Sequence, residues 1–342
     1  MAHRYAPQMH LSELVTPALV VDEAALDHNL ATMAAALPGG RLRPHIKAHK
    51  CTSLAKRQAA SGHEGFTCAT IRECEGLAAA GLGQDLLLAN EVLDTHRIGT
   101  LVEGGHRVTV CVDSAETIEA AVAGGVREVL IDVNVGLPRC GCAQEDAGVF
   151  AEMARALGLS VRGVQGYEGH VVGLESAAIR SEKCEESMAI LLAAHAAVGG
   201  ELVSAGGTGT YEINTWASEI QAGSYVLMDT AYGRLGLPFH QAVYVLATVI
   251  STSVPTSGGW SVADAGLKAF GMDHGLPAIT GSTVWYCSDE HLVFDPPRRV
   301  GDRVLVAPAH VDPTIAYHER MHLADLASGE ILETWPVDLR GW

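Results

Sequence analysis

The segment Arg43-Pro44-His45-Ile46-Lys47-Ala48-His49-Lys50 carries basic side chains at alternate positions over most of its length. Successive side chains of a β-strand point to opposite faces, so an extended segment here puts His45, Lys47 and His49 on one face. A lysine on the inner face of a sheet is costly to bury unless its amine has a role, such as formation of a Schiff base. These eight residues leave a basic surface strand open as the alternative.

Strand-like and helix-like segments alternate on both sides of this stretch. Between residue 17 and residue 240 the pattern gives about eight βα units, which favours a closed (β/α)₈ barrel, with an open doubly wound sheet as second choice. From residue 241 the pattern changes to short β-type runs separated by Gly, Pro and Asp turns. We therefore predict a barrel over 17–240 and a smaller all-β domain over 241–342, to which residues 1–16 can add a strand.

Composition excludes some classes of partner. The 342 residues carry a formal net charge of -17, which argues against nucleic acid and anionic membrane surfaces but not against a small anion held at a local basic site. No run is long and apolar enough to span a membrane. The eight cysteines lie in a long chain without a visible signal peptide, which predicts free thiols in a cytoplasmic protein.

Several polar or glycine-rich segments follow predicted strands of the barrel, where the catalytic face of such a fold lies. Gly206, Gly207 and Thr208 follow one strand, and Gly223 and Ser224 lie within the next. Glycines let backbone N–H groups approach phosphate oxygens, and hydroxyls add donors, so these two segments are candidates for a phosphate site or for ordinary loops. Three further candidates at strand ends are Arg139, which can hold a phenolate or carboxylate, and Tyr167 and His170.

A possible metal site lies in the predicted β domain. His310 and Asp312 are two residues apart, so on a strand they project together. An imidazole and a carboxylate without a thiolate suit Mn²⁺ or Mg²⁺ better than Zn²⁺. A purely structural role for this pair is the alternative.

Together these segments resemble the D-threonine aldolase and D-serine dehydratase family, whose members are pyridoxal-phosphate enzymes with an alanine-racemase-type barrel. The resemblance is collinear over nearly the whole chain. Its pieces are Pro17–Asp22, Arg43–Lys50, Asn134–Gly141, Gly166–His170, Gly206–Tyr211, Glu219–Tyr225, Asp264–Lys268 and His310–Thr314. The chain departs from the family pattern at Ala48, where threonine is common.

The resemblance implies a role for each matching residue. Lys47 matches the lysine that forms a Schiff base with the cofactor, and Arg139 matches the arginine near its phenolic oxygen. The residues that match the family's phosphate site are Gly206, Gly207, Thr208, Gly223 and Ser224, and Tyr211 lies close by. His310 and Asp312 match the divalent-metal pair, for which we expect Mn²⁺ or Mg²⁺, with Zn²⁺ as the alternative. Tyr167 and His170 are expected to line the pocket.

Three functions follow from the resemblance. The first is an aldolase that cleaves a 3-hydroxy D-amino acid to glycine and an aldehyde, with His170 or a water as the base. The second is a dehydratase acting on D-serine or 3-hydroxy-D-aspartate, giving a 2-oxo acid and ammonia. Zinc-dependent dehydratases of the family tend to carry cysteine where this chain has Asp312, so the aldolase is favoured. The third is a pyridoxal-phosphate carrier without turnover, against which the metal pair argues.

The resemblance also implies a homodimer. A racemase is a weaker possibility, because it needs a second base, usually a tyrosine from the partner subunit.

Overall fold

The computed structural model describes residues 9–253 and 259–342. Residues 1–8 lie outside that range, so the prediction that residues 1–16 can add a strand to the β domain can be compared with the structure only over residues 9–16. There, His10 forms an antiparallel bridge with Glu330, and the N–H of Leu11 donates to the carbonyl of Gly329.

The elements are numbered in chain order. Strands are β1 Ala18–Asp22, β2 Phe66–Cys68, β3 Leu86–Leu88, β4 Val108–Val112, β5 Glu128–Asp132, β6 Ser160–Gln165, β7 Leu202–Ala205, β8 Glu219–Ile220, β9 Val243–Thr252, β10 Ser261–Ala263, β11 Thr283–Cys287, β12 Leu292–Asp295, β13 Arg303–Val306, β14 Arg320–Asp325 and β15 Glu330–Pro336. Helices are α1 Glu23–Ala36, α2 Thr52–Ala60, α3 Ile71–Ala79, α4 His96–Glu103, α5 Ala115–Ala123, α6 Ala147–Ala156, α7 Ala177–Val198, α8 Thr230–Gly233 and α9 Val311–Tyr317.

The chain forms two compact units. The barrel unit comprises Met33–Lys47, Leu54–Gly223 and Leu339–Trp342. The β unit comprises the described residues of Met1–Thr32, Ala48–Ser53 and Ser224–Asp338.

The barrel unit is built on one parallel sheet with the order β2-β3-β4-β5-β6-β7-β8. Its two outer strands both pair with the extended segment 42–45, through parallel bridges Leu42↔Ile220 and His45↔Thr67. The N–H of Arg43 donates to the carbonyl of Ile220 over 2.9 Å, and the N–H of Thr67 donates to that of Pro44 over 2.9 Å. The segment before Lys47 therefore fills the eighth position of the predicted barrel.

A buried ion network holds that segment in the barrel. The Arg43 guanidinium, 5% exposed, lies 2.9 Å from the carboxylates of both Asp85 and Glu219. Arg162, 6% exposed, reaches Asp85 over 3.1 Å and donates to the hydroxyl of Thr109 over 2.8 Å. Burying two guanidinium groups is tolerable because each has carboxylate partners within hydrogen-bonding distance.

The β unit contains a mostly antiparallel sheet with the order β11-β12-β10-β9-β1-β14-β15, and β13 pairs with β9. Strand β1, which the prediction included in residues 17–240, pairs antiparallel with β9 and parallel with β14. The predicted fold class, a barrel with a second β-rich domain, is confirmed, whereas the boundaries at 17–240 and 241–342 stay a prediction.

Three local predictions are wrong. The segment around Lys47 is extended only as far as His45, because strand pairing ends there, and Ile46–Ala48 form a 3₁₀ turn. Strand β8 ends at Ile220 and is followed by a second 3₁₀ turn, Ser224–Val226, so Gly223 and Ser224 do not lie within a strand as predicted. Residues 315–317, which are one of the short β-type runs predicted after residue 241, belong to helix α9 and not to a strand.

Two further sequence predictions concern disulfide bonds and membrane-spanning segments. All eight cysteines are free, and only Cys140 and Cys287 are not buried. Over residues 9–253 and 259–342, every helix is too short or too polar to cross a membrane.

We predict that Arg43→Met lowers the free energy of unfolding by about 3 kcal/mol, because it leaves the buried Glu219 carboxylate without its cation. Arg97→Ala is the matched control, since Arg97 pairs with Glu75 where both side chains are well exposed. We expect that control to cost less than about 1 kcal/mol. Urea denaturation followed by circular dichroism measures both, and equal losses would contradict the prediction.

Candidate active site

Lys47, Tyr167 and Arg139 lie together in the barrel unit. The ammonium nitrogen of Lys47 is 5.7 Å from the centre of the Tyr167 ring, and the guanidinium carbon of Arg139 is 5.3 Å from it. Lys47 follows the extended segment 42–45, Tyr167 follows β6, and Arg139 lies in the loop after β5. Parallel strands end at the same edge of a sheet, which is why three distant parts of the sequence meet here.

The protein provides little negative charge to these two cations. Among the residues that the structure describes, no carboxylate forms an ion pair with Lys47 or Arg139. Asp132 lines a small pocket with Arg139 and Tyr167, but burial, followed by the neighbouring Glu91, raises the pKa of its carboxyl. With no carboxylate of the described residues ion-paired to them, Lys47 and Arg139 favour an anionic ligand.

Glu168 organises the glycine-rich loop after β7. Its buried carboxylate accepts hydrogen bonds from the N–H of Gly206 over 3.1 Å, from the hydroxyl of Thr210 over 2.8 Å and from the side-chain amide of Asn214 over 3.1 Å. The N–H of Gly207 donates to the Thr210 hydroxyl over 3.2 Å. The loop is therefore fixed from within the barrel unit by one carboxylate that accepts hydrogen bonds from three donors of the loop.

These bonds change the expected role of the glycines. The N–H groups of Gly206 and Gly207 already have protein acceptors, so binding phosphate through them would require a change of partner. Gly206 has φ +84°, and a Cβ on Gly207 would lie 3.2 Å from a Val172 methyl and 3.6 Å from the Tyr167 ring. Both positions thus favour glycine for conformation and space as well as for any contact with phosphate.

The remaining barrel candidates have defined surroundings. Thr208 is buried within the loop. The Tyr211 hydroxyl, also buried, donates to the Glu212 carboxylate over 2.7 Å. His170 is exposed, and its ring lies against the backbone of Gly136, 2.9 Å from where a Cβ on that glycine would stand. The structure therefore places His170 beside the loop that leads to Arg139.

The other predicted residues lie in the β unit, apart from Gly223, which ends its section of the barrel unit. The Ser224 hydroxyl donates weakly to the Asp312 carboxylate, over 3.5 Å. This pairing joins the predicted phosphate-binding and metal-binding segments, which are 88 residues apart in sequence.

His310 and Asp312 lie at the start of α9, and the prediction that they project together from a strand is wrong. His310 is the residue before the helix and Asp312 is in its first turn. The Nδ1 atom of His310 is 2.7 Å from the Asp273 carboxylate, and its ring stacks on His274 with centres 3.8 Å apart. The possible ligand atoms of Asp273, His274 and His310 all lie within 4.8 Å of one another.

Asp229 fixes the start of α9. Its carboxylate accepts from the N–H of Val311 over 2.9 Å and also from the N–H of Tyr232, over 2.9 Å, at the start of α8. Burial raises the pKa of Asp229, whereas the hydrogen bonds from Tyr232 and Val311 lower it. One carboxylate thus sets the position of the segment that carries His310 and Asp312.

Comparison with known proteins identifies the family. Residues 21–231 match the model of the alanine racemase N-terminal domain, and residues 242–324 match a model described as "Putative serine dehydratase domain". The chain belongs to the alanine-racemase-type family that includes the D-threonine aldolases and D-serine dehydratases.

Individual relatives are similar over nearly their full length. The chain is 34% identical to a 3-hydroxy-D-aspartate aldolase of Paracoccus denitrificans, over 98% of this chain and 94% of the relative. A crystal structure of D-threonine aldolase from Filomicrobium marinum superposes with a TM-score of 0.90 at 31% identity, covering 98% and 99% of the two chains. A D-threo-3-hydroxyaspartate dehydratase from Delftia gives a TM-score of 0.87 at 26% identity, covering 98% and 100%.

Three candidate residues, which stand in two sequence patterns, were missed by sequence reasoning. Glu168 has a weak sequence signal, since it is a carboxylate directly after a strand in a chain with a Gly/Thr loop. Asp273 and His274 form an adjacent acid–imidazole pair between two glycines, which is a recognisable metal-site composition. Neither pattern identifies the partner residue, which in both cases lies more than 30 positions away.

We predict that Glu168→Gln weakens binding of pyridoxal phosphate about tenfold, because an NH₂ group would face donors that now share a carboxylate. Titration of the cofactor-free protein, followed by the visible absorbance of the bound cofactor, measures the change. Glu145→Gln, which alters an exposed carboxylate of the same unit, is the control. Unchanged affinity in Glu168→Gln would show that the loop does not depend on this carboxylate.

Proposed function

We propose that the protein is a pyridoxal-phosphate- and divalent-metal-dependent aldolase that cleaves 3-hydroxy D-amino acids, D-threonine-like in type, to glycine and an aldehyde. The observation that carries the proposal is the group of Lys47, Arg139 and Tyr167 at the strand ends of an alanine-racemase-type barrel. An amine and a guanidinium that form no ion pair with a carboxylate of the described residues suit a ligand that carries an aldehyde, a phenolate and a phosphate.

The barrel residues fit the cofactor in their chemistry. Lys47 is only partly buried, which leaves its amine accessible to a carbonyl group. Arg139 provides a cation for a phenolic oxygen, and Thr208 provides a hydroxyl and a backbone N–H for phosphate. Gly206, Gly207 and Gly223 keep side chains out of the phosphate segments. The resemblance also assigns Ser224 and Tyr211 to cofactor binding.

The β unit supplies a donor set that fits a divalent ion. An imidazole at His310 and a carboxylate at Asp312 give a nitrogen and an oxygen ligand, and the neighbouring Asp273 and His274 add no thiolate. Such a set suits Mn²⁺ or Mg²⁺ better than a thiolate-seeking ion, with Zn²⁺ as the alternative. We assign the ion to His310 and Asp312.

The roles of the protein groups follow from these positions. The bound cofactor supplies the electron sink for cleavage of the Cα–Cβ bond, and a bound divalent ion lowers the pKa of the β-hydroxyl. Lys47 would hold the cofactor through its Nζ atom. His170, or a water beside it, receives the β-hydroxyl proton, and its exposure allows that proton to pass to solvent.

Asp312 favours the aldolase over the dehydratase. The dehydratases that this chain resembles tend to have a cysteine at this position when they use zinc, and a carboxylate favours a harder ion. The similarity to the Delftia dehydratase keeps dehydration of D-serine or 3-hydroxy-D-aspartate as the second candidate. The oxygen and nitrogen donors around His310 argue against a simple cofactor carrier, which needs no metal.

We further propose that the enzyme acts as a homodimer in the cytoplasm. Its net charge of -17 makes small molecules more suitable partners than nucleic acids or anionic membranes.

The reaction is tested by measuring products. Protein loaded with pyridoxal phosphate and Mn²⁺ is incubated with D-threonine, D-phenylserine, D-serine and 3-hydroxy-D-aspartate. Glycine and ammonia are then quantified in the same samples. We expect glycine without ammonia from at least one β-hydroxy substrate, whereas ammonia with a 2-oxo acid would overturn the aldolase assignment.

The cofactor lysine is tested separately. Lys47→Ala is predicted to abolish covalent attachment of the cofactor, because no other residue is expected to provide the amine. Borohydride reduction followed by peptide mass spectrometry finds the pyridoxyl adduct, and the control is Lys56→Ala, on an exposed position of α2. An adduct that persists in Lys47→Ala would refute the assignment.

A further inference from the structure

We infer that Asp273 is a positioning residue that accepts the Nδ1 proton of His310 and thereby leaves Nε2 as the metal donor of that ring. The inference rests on the proposed metal dependence of the enzyme. It adds Asp273 to the proposed metal ligands His310 and Asp312 as a residue that contacts the His310 ring and not the ion.

The contact has the geometry of a hydrogen bond between an imidazole and a carboxylate. The 2.7 Å between His310 Nδ1 and Asp273 Oδ2 lies at the short end of the range for charge-assisted bonds. An ionised carboxylate only accepts, so the proton in this contact belongs to Nδ1. In a neutral imidazole the lone pair is then on Nε2, which fixes the tautomer required for metal binding through that atom.

Direct binding of one ion by all three residues fits the geometry less well. The rings of His274 and His310 stack with centres 3.8 Å apart and planes inclined by 10°. Imidazole lone pairs lie in the ring plane, so two nearly parallel stacked rings direct them along parallel planes rather than toward a common point. His274 therefore supports the His310 ring by stacking, and does not share its ion.

The backbone keeps Asp273 next to His310 although the Asp273 side chain is 57% exposed. Gly271 forms an antiparallel bridge with His310, and its N–H donates to the Thr314 hydroxyl over 2.9 Å. That hydroxyl in turn donates to the carbonyl of His310 over 2.7 Å. A Cβ on Gly271 would lie 2.2 Å from Pro313, which shows how closely this segment crosses the start of α9.

The first experiment measures metal binding without turnover. Protein freed of divalent ions is titrated with Mn²⁺, and free Mn²⁺ is counted by electron paramagnetic resonance. The variants are His310→Ala, Asp273→Ala, Asp273→Asn and His274→Ala. We expect His310→Ala to abolish binding, Asp273→Ala to weaken it about 10- to 100-fold, and His274→Ala to change it by less than about threefold. Asp273→Asn should recover part of the affinity, because its side-chain oxygen still accepts from Nδ1.

The second experiment reads the tautomer directly. Protein with ¹⁵N-labelled histidine gives long-range ¹H–¹⁵N spectra, in which His310→Ala identifies the His310 signals. We expect a protonated Nδ1 in the metal-free wild type and in Asp273→Asn, and a shift toward protonated Nε2 in Asp273→Ala. A thermal unfolding midpoint that is the same in all variants excludes a general loss of structure.

The outcomes separate the inference from the function on which it rests. Wild-type affinity in Asp273→Ala, or an unchanged tautomer, would overturn the positioning role while leaving metal dependence intact. Loss of binding in both Asp273 variants as complete as in His310→Ala would make Asp273 a ligand and also overturn it. A wild-type protein that binds no Mn²⁺ while showing the predicted tautomer would refute the proposed metal dependence, and the inference would fall with it.

Discussion

The buried contact of Arg43 with Glu219 and Asp85 is the constraint on which the barrel unit most depends. The extended segment 42–45 closes the barrel with few backbone hydrogen bonds of its own. The guanidinium adds bonds from this segment to both sides of the ring, at Glu219 on β8 and at Asp85 before β3. Lys47 lies only two residues beyond the segment, so the position of the proposed cofactor lysine depends on how firmly the segment is held.

In the barrel unit, the buried ion network and the candidate cofactor residues lie at opposite ends of the strands. The ion network involves Asp85 and the first residues of β5 and β8, Glu128 and Glu219. Next along strands β3, β4 and β5 comes an apolar cluster of Leu87, Cys111 and Leu130, in which Leu87 and Leu130 are each two positions after a carboxylate of the network. Lys47, Tyr167 and the loop from Gly206 come only after the strands end. Paired charges thus occupy one end of the strands. At the other end, Lys47 and Arg139 form no ion pair with a carboxylate of the described residues, as expected where a ligand supplies negative charge.

Periodicity and composition predicted the class of fold and the identity of most candidate residues, because both are recorded locally in the sequence. Alternating βα segments predict a parallel barrel. A lysine or a glycine-rich loop that comes soon after a strand is then predicted to lie at the edge of the sheet where the strands end. The 3₁₀ turn at Lys47 and the helix at His310 were not predicted, because each depends on tertiary contacts. Asp229 accepts from the N–H of Val311, 82 residues away, and no local pattern around His310 records that bond.

Glu168 and Asp273 were not predicted from the sequence for the same physical reason. Each acts by orienting another group rather than by contacting a ligand. Glu168 holds the glycine loop through donors 38 to 46 positions later, and Asp273 meets His310 after 37 positions. Residues of this kind are identified by the hydrogen bond they accept, and therefore only from the fold. In this protein they share one chemical feature: a carboxylate that accepts and never donates, which removes ambiguity from the group it holds. A carboxylate acceptor thus orients one proposed functional group in each unit: Glu168 orients the cofactor loop of the barrel unit, and Asp273 orients the metal ligand His310 of the β unit.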